Sequence, residues 1–383
     1  MAGVRRAYFA CCLAGLLAMP LMLGCQQATA ADPNKLPLAD SYQFAIAADG
    51  CLAIVAGEEG RLHTGTIGDG SLDSLAIQDS GHKAQELIAS SQRIYFLDKD
   101  SEDLYMVDLR EASGVRLFHD CDWDQRECRY FLSADDRELL CAAIGEFDMA
   151  TGYRSSRVRL VVLDEEGKIE MDHLYPVANT ASFEVDTGRA EVAYVSTSFT
   201  DEADIPRVRL HDYANDREYE YQSEDVFHIT FLRFAGEDLL CNSVTKGIMV
   251  FGPELELKWQ AMYETDWGRP VAINGQVISF GEDKKVHAFD MQGNELYTAG
   301  YEDTIGIDRF TKRGNRLFME SSWMEPRYCV LDTDRRETRY YKLPVSIDRE
   351  YQSLEWKGSF CQFVDEWCYY IDGDRKLIRI ALP

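Results

Sequence analysis

Acidic side chains are the most numerous groups in this sequence that could take part in chemistry, with 66 Asp and Glu residues. The run from Asp98 to Asp103 has the spacing most typical of calcium ligands, although it lacks the glycine and distal glutamate of an EF-hand loop. Asp290 and Asp332 stand in predicted turns, where an Asp side chain commonly accepts hydrogen bonds from the backbone. The sequence therefore predicts turn formation for these acids and no cofactor, with calcium as the alternative.

The other side chains that commonly bind metals or catalyse reactions form no known motif. No CxxC, CxxCH or HExxH spacing occurs, so nothing in the sequence indicates a metal or haem site. The seven histidines fall on different predicted strands and connections, and we expect them not to converge on one site. Enzymatic activity stays open at this stage, and the missing catalytic motifs favour a binding role.

The N-terminal residues are typical of an export signal. Arg5 and Arg6 precede an apolar run from Ala7 to Leu23, which predicts a signal peptide over residues 1–24. The segment LMLGC, which ends at Cys25, resembles a bacterial lipobox, and Cys25 is therefore the predicted lipidation site.

We accordingly expect an exported protein whose lipid anchor holds it outside the cytoplasmic membrane, in the periplasm or at the outer membrane. Cleavage before Ala31, after the small residues Ala28, Thr29 and Ala30, is the alternative and would give a secreted protein. The paired arginines leave the twin-arginine and general secretory routes both open.

Two cysteine pairs could form local disulfides in such a compartment. Cys121 and Cys128 flank the polar segment CDWDQREC and are the first candidate pair. Cys361 and Cys368 could face each other across a predicted hairpin. Cys241 lies in the apolar segment DLLCNSV and is expected to be a buried free thiol.

The net charge excludes one class of partner. The 40 basic and 66 acidic residues give a formal charge of −26, which would repel nucleic-acid phosphates. We therefore expect no nucleic-acid binding, and a membrane association through the lipid anchor alone.

The elements that must position these groups recur along the chain. Each unit contains a short strand rich in β-branched and aromatic residues, a turn and a second strand that opens on a polar, basic or small residue. Most units add a strand before and after this pair, and the pattern recurs roughly every 45 residues, the length of a propeller blade. The first strand of the pair begins at Cys51, Arg93, Glu138, Ala190, Asp238, Gln276, Arg316 and Trp367.

This repeat predicts an all-β fold, a single β-propeller over residues 42–383 with eight four-stranded blades. Seven blades, or two stacked β domains, are the alternatives. The last unit ends one strand short, so residues 25–41 are expected to link the anchor to the fold and to supply the closing strand of the last blade.

On these repeats the chain resembles the bacterial extracytoplasmic propellers of the YVTN, WD-repeat-like and quinoprotein-like families. Eight units behind a lipobox also resemble the outer-membrane assembly lipoprotein of Gram-negative bacteria. That second resemblance implies a scaffold without catalysis.

The longest loops predict a partner-binding face. The segments Gly145–Ser156 and Thr197–Pro206 are long for a compact repeat, and long loops in such folds are often functional. Aromatic side chains on these and the neighbouring loops are of the kind enriched in recognition surfaces. The predicted face comprises Trp123, Phe147, Tyr153, Phe199, Trp267, Trp323, Tyr351 and Trp356.

These observations predict a monomeric, non-catalytic envelope propeller that binds a protein partner or an envelope glycan. One alternative is a propeller enzyme, either a lactonase or lyase or a quinoprotein-like dehydrogenase. The other is a ligand-binding sensor with its site in the central channel.

Replacing the predicted anchor residue tests the localisation. We expect Cys25→Ser to move the protein from the membrane fraction to the soluble fraction, because the sequence offers no other apolar run of spanning length. Immunoblotting of fractionated cells measures the shift, with Cys241→Ser as the control. Unchanged membrane association of Cys25→Ser would contradict the lipidation.

Overall fold

The structure is a computed structural model, and every regular element of its described residues longer than one turn is a β-strand. It describes residues 41–383 except 47–49, 57–59, 68–75, 90–92, 102, 109–114, 121–127, 135–136, 148–153, 165, 178–181, 199–204, 223–228, 244–245, 266–268, 302–309, 322–326, 344–360 and 372–376. Within these residues there is no helix that could cross a membrane. The all-β prediction is therefore confirmed.

The first two antiparallel units share one continuous strand, β4. This strand covers Ala76–Ala89, and its first half pairs with β3 while its second half pairs with β5. The other strands of these units are β1 Ser41–Ile46, β2 Cys51–Ala56, β3 Arg61–Thr66, β5 Arg93–Asp98, β6 Leu104–Asp108 and β7 Arg116–His119.

Five four-stranded antiparallel sheets then follow one another along the described chain. The first three contain β8 Cys128–Ala134, β9 Arg137–Phe147, β10 Arg154–Leu163 and β11 Ile169–Val177; β12 Phe183–Asp186, β13 Glu191–Ser198, β14 Ile205–Asp212 and β15 Arg217–Gln222; and β16 Ile229–Ala235, β17 Asp238–Ser243, β18 Gly247–Phe251 and β19 Leu257–Ala261. The next two contain β20 Val271–Ile273, β21 Gln276–Phe280, β22 Lys285–Asp290 and β23 Glu295–Gly300; and β24 Phe310–Arg313, β25 Arg316–Ser321, β26 Arg327–Asp332 and β27 Glu337–Lys342.

The last sheet has three strands in the described chain, β28 Cys361–Val364, β29 Trp367–Ile371 and β30 Leu377–Ala381. The sequence predicts a fourth strand of this sheet from residues 25–41. Of this segment only Ser41 lies within the described residues, as the first residue of β1.

Several middle strands, β5, β17 and β18 among them, are buried on both faces. In β17, Leu239 and Cys241 pack towards the preceding sheet, whereas Leu240 packs towards the following one, beside Val277. Successive side chains of a strand point to opposite faces, so burial of every residue in β17 requires a neighbouring sheet on each side. Cys241 is a buried free thiol, as predicted.

Burial is lower in the fourth strands of the units than in the best buried middle strands. The fourth strands β15, β19 and β23 expose about half or more of their residues, whereas the middle strands β17 and β18 are buried along their whole length. Each pair of consecutive sheets in the described chain shares a buried hydrophobic cluster. The sheets therefore stack face to face, with their fourth strands at the periphery.

The first and last sheets along the chain also contact each other. Phe44 and Ile46 of β1 pack with Tyr369 of β29 and Leu377 of β30 in one buried cluster. Gln362 of β28 accepts a hydrogen bond from the Ile46 N–H at 2.9 Å and donates one to the Phe44 carbonyl oxygen at 3.3 Å. The succession of sheets therefore returns to its starting point and forms a ring.

A double-mutant cycle between the first and last sheets measures how much their contact contributes to the free energy of unfolding. We expect Phe44→Ala and Leu377→Ala each to lower the free energy of unfolding by about 2–5 kcal/mol, because both side chains are buried. Their effects should be non-additive by about 0.5–3 kcal/mol, since the two cavities lie in one cluster. Urea unfolding gives the values.

Leu331 is the matched control, since it is fully buried but belongs to the cluster between two other sheets. Phe44→Ala and Leu331→Ala should add within about 0.5 kcal/mol. Equal coupling in both pairs would contradict a specific contact between the first and last sheets.

Candidate anion site at the centre of the ring

Charged and aromatic side chains from four consecutive sheets meet where the first strands converge. Glu184 of β12 contacts Arg269, which lies two residues before the start of β20, although a whole sheet lies between them in the chain. Arg233 of β16 contacts Phe310 of β24, and these two strands also belong to sheets that are separated by one other sheet along the chain. Such contacts are available only close to the axis of the ring. Together with Lys312 of β24, these residues form the central cluster.

Strand alternation explains how Glu184 reaches this position. Its neighbours Phe183 and Val185 pack against the preceding sheet, so Glu184 points the other way. Its Oε2 lies 3.5 Å from Nη1 of Arg269, and one fifth of its side chain is exposed. Burial raises the pKa of Glu184, and the positive charges of Arg269 and Arg233 offset this only in part.

Arg269 is held by one acid and one aromatic ring. Its guanidinium carbon lies 5.6 Å from the centre of the Phe231 ring, within the range of a cation–π contact. Its Nη1 faces Glu184, whereas its Nε is buried and has no hydrogen-bond partner among the described residues. One donor of the guanidinium is therefore left unsatisfied.

Arg233 lies on the opposite side of its strand from two packed residues, Leu232 and Phe234. Its guanidinium carbon is 4.3 Å from the centre of the Phe310 ring. Within the part of the chain that the structure describes, Arg233 makes no hydrogen bond or ion pair. Burial lowers the pKa of Arg233, and Glu184 opposes that effect through its charge. The phenyl ring of Phe310 orients the face of the Arg233 guanidinium and leaves its hydrogen-bonding edge uncovered.

Lys312 adds a third positive charge from the same strand as Phe310. Its side chain keeps contact with solvent, but the protein around it partly removes its hydration. This desolvation, followed by repulsion from Arg233, lowers the pKa of Lys312. Two cations from different sheets are thus close enough to repel each other.

The central cluster therefore has three cationic side chains and one carboxylate in a chain whose overall charge is −26. Partly buried cations need compensation by an anion, and guanidinium groups bind carboxylate and phosphate oxygens through paired hydrogen bonds. The cluster contains no hydroxyl or thiol nucleophile. The chemistry that it supports best is the binding of an anion.

Two histidines do converge, contrary to the prediction, but away from this cluster. The rings of His173 in β11 and His211 in β14 lie 5.3 Å apart, at the seam between two sheets. The Tyr175 hydroxyl is 2.8 Å from Nδ1 of His211. Burial, and then the charge of His211, lower the pKa of His173. The stacking of the sheets brings β11 and β14 together. The sequence pattern of each strand alone does not show which other strand it will contact.

The acids of the predicted turns bond to the backbone, as expected. Asp290 Oδ1 accepts hydrogen bonds from the N–H groups of Gln292 and Asn294, and Asp332 makes similar bonds. In the calcium-like run, Asp98 Oδ1 accepts two backbone N–H bonds, and its Oδ2 accepts a third from Lys83 and lies 2.9 Å from Nδ1 of His82. Among the described residues, no three His, Cys, Asp or Glu side chains are placed to hold a metal ion.

Most of the predicted partner face lies outside the described residues, and it stays a prediction. The residues concerned are Trp123, Tyr153, Phe199, Trp267, Trp323, Tyr351 and Trp356. Phe147 is the last residue of β9, paired with Arg154 at the start of β10. The strands thus extend into both predicted loop segments, since β9 and β10 include Gly145 and Ser156 and β13 and β14 include Thr197 and Pro206.

The two candidate disulfides have different outcomes. Cys128 begins β8, but Cys121 lies outside the described residues, so this pair stays a prediction. Cys361 and Cys368 are both buried and form no disulfide, so the predicted pair is wrong. The strand register is the reason, because it pairs Cys361 with Tyr370.

The sequence does not reveal the central cluster. Its members lie in the segments SFEVDTG, FHITFLRF and FTKR and in the ETDWGRP connection, each with a single charged residue of interest. A basic residue between two apolar ones in a first strand, as in Leu232-Arg233-Phe234, is the signal that could have identified Arg233.

Comparisons with solved structures place this chain among β-propellers. The computationally designed protein Ika8 has a TM-score of 0.56 and 14% identity, over 91% of this chain and 98% of that one. BamB from Moraxella catarrhalis has a TM-score of 0.54 and 13% identity, over 89% and 96%. The Dos1 propeller has a TM-score of 0.53 and 13% identity, over 91% and 96%. At such low identity, these similarities show the β-propeller fold alone.

Two other comparisons gave no match. No protein-family model matches the chain, and no curated protein matches it either.

The raised pKa of Glu184 predicts a pH dependence of stability. A carboxyl group whose pKa is higher in the folded state than in the unfolded state lowers the free energy of unfolding as the pH rises. For Glu184 this loss begins near the ordinary pKa of 4.5 and is complete once the pH exceeds the folded-state pKa. Glu184→Gln lacks this titration, so its free energy of unfolding minus that of the wild type should increase with pH. Urea unfolding from pH 4 to pH 7.5 measures the difference.

The exposed Glu237→Gln variant controls for the loss of a surface carboxylate. A difference between Glu184→Gln and wild type that stays constant, or that decreases with pH, would contradict the prediction.

Proposed function

We propose that this chain is an exported, non-catalytic binding propeller that holds an anionic ligand at the centre of its ring. One observation supports it most directly. The Arg233 guanidinium lies 4.3 Å from the Phe310 ring, two residues before Lys312 on β24, and no carboxylate among the described residues forms an ion pair with Arg233 or Lys312.

The electrostatic argument is simple. Bringing two cations together in partly dehydrated surroundings costs free energy that a bound anion would return. Glu184 lies 3.5 Å from Arg269 and its charge also acts on Arg233, so this one carboxylate offsets only part of the positive charge of the three side chains. Stacking on Phe310 already restricts Arg233, so less conformational entropy is lost when a ligand binds.

The architecture of the proposal is a ring of eight blades. The described strands divide into seven four-stranded units, two of which share β4, and one three-stranded unit. Contacts between the first and last sheets support closure of the ring. In this proposal residues 25–41 complete the last blade, next to β30, and a lipid on Cys25 tethers the monomer to the cell envelope.

A binding role agrees better with the central cluster than a catalytic one. A lyase or lactonase would need a base that is free to accept a proton from a substrate, whereas Glu184 is engaged with Arg269. The aromatic loop face predicted from the sequence would serve a protein or glycan partner separately, and it does not compete with the central site.

Isothermal titration calorimetry with inorganic phosphate, at low ionic strength, tests the proposal. The wild type should bind one phosphate per chain, and Arg233→Met should weaken binding at least tenfold by removing the guanidinium while keeping much of its volume. Arg339→Met is the matched control, because Arg339 is exposed on the peripheral strand β27. Absence of binding by the wild type, or equal weakening in both variants, would overturn the proposal.

A further inference from the structure

We infer that the anion at the centre of the ring binds together with a proton, which Glu184 takes up from solvent. This inference rests on the proposed function and concerns the regulation of the same site. It draws on the position of the Glu184 carboxylate at Arg269, on the hydrogen-bond donors of Arg269 and on the charges around the carboxylate.

The contact between Glu184 and Arg269 is weak for an arginine–carboxylate pair. Oε2 of Glu184 accepts one hydrogen bond, from Nη1 of Arg269, at 3.5 Å. Such pairs commonly form two parallel hydrogen bonds of about 2.7–2.9 Å. The carboxylate therefore offsets part of the guanidinium charge without satisfying all of its donors.

Arg269 keeps a donor for a ligand on the same guanidinium. Its Nε has no hydrogen-bond partner among the described residues, and its side chain is 27% exposed. Phe231 restricts one side of the group, with 5.6 Å between the guanidinium carbon and the centre of the ring. An anion that accepts hydrogen bonds from this small planar group must therefore lie next to the Glu184 carboxylate.

The proximity of the two negative charges couples anion binding to protonation. A like charge close to a carboxyl group disfavours its ionised form, and partial burial strengthens this effect. A proton on Glu184 removes the repulsion, and the new O–H group is a donor to the anion where the carboxylate was only an acceptor. Anion binding and proton binding therefore favour each other, and the coupling is reciprocal.

The charges around Glu184 already favour the proton before a ligand arrives. Within the described chain, the charged residues that face it from its own and the surrounding elements are Asp186 of β12, Glu191 of β13, Arg233 of β16 and Arg269. Glu191 is paired with Arg189 at 2.6 Å. Burial raises the pKa of Glu184, Arg269 and Arg233 lower it in part, and Asp186 raises it further.

Calorimetric titration with sulfate at pH 5.5 and pH 7.5, at constant ionic strength, tests the coupling, because sulfate keeps its charge over this range. We expect the wild type to bind sulfate about tenfold or more tightly at pH 5.5, since full coupling to one proton changes the affinity about tenfold per pH unit. Titrations in two buffers of different ionisation enthalpy count the protons that are taken up with the anion.

Variants identify the carboxyl group that takes up the proton. The affinity of Glu184→Gln for sulfate should change less than about threefold between the two pH values, because its side chain does not titrate. At pH 7.5 this variant should bind sulfate more tightly than the wild type does. Asp186→Asn is the matched control, since Asp186 is the other acid of β12, and it should keep the pH dependence of the wild type. Circular dichroism checks that both variants fold.

The outcomes are distinct. Equal pH dependence in the wild type and in Glu184→Gln would overturn the coupling and leave an anion site in place, as would binding by Glu184→Gln alone. Failure of sulfate to bind any of the three proteins at either pH would overturn the proposed function itself.

Discussion

Burial on both faces of the middle strands is the constraint on which this architecture depends. A sheet such as β16–β19 has Cys241 and Phe251 on one face and Leu240 and Val250 on the other, so neither face tolerates water. Each sheet then requires two neighbours, and a linear stack would leave its two end sheets half uncovered. The contact between the first and last sheets removes those ends, which is why Gln362 and Phe44 are joined despite a separation of 318 residues.

Closure of the ring creates a second environment that differs from the sheet interfaces. The first strands converge there, and side chains that point towards the axis meet residues from sheets that are not neighbours. Apolar side chains do not fill the centre of the ring as they fill the interfaces between neighbouring sheets, because several polar side chains enter the centre from different directions. Arg233 and Arg269 lie against aromatic rings instead, which partly dehydrates their faces and keeps their edges available.

How much could be predicted from the sequence follows from the same geometry. Strand pairs such as RVRLHDY and its partner depend on local alternation, so the repeat and the all-β class were visible in the sequence. The continuity of β4 was not visible in the sequence. The polar segment around Gly81 resembles a turn, although it lies within this strand. The central cluster and the His173–His211 contact were also missed. Their members lie on different sheets, and only the closed ring brings them together.

The acidic surface and the basic centre act on an anionic ligand in opposite ways. With a formal charge of −26, the long-range field of the protein repels anions and slows their approach at low ionic strength. At a few ångströms the proposed bonds to Arg233 and Arg269 would dominate, since these two half-buried side chains are partly shielded from screening by water and salt, whereas Lys312 is exposed. Moderate salt would therefore speed association by screening the surface, while it weakens the bound state far less than it would weaken an exposed ion pair. Such an arrangement favours a small anion that fits among the three cations over a polyanion, whose remaining charges would stay in the repulsive field.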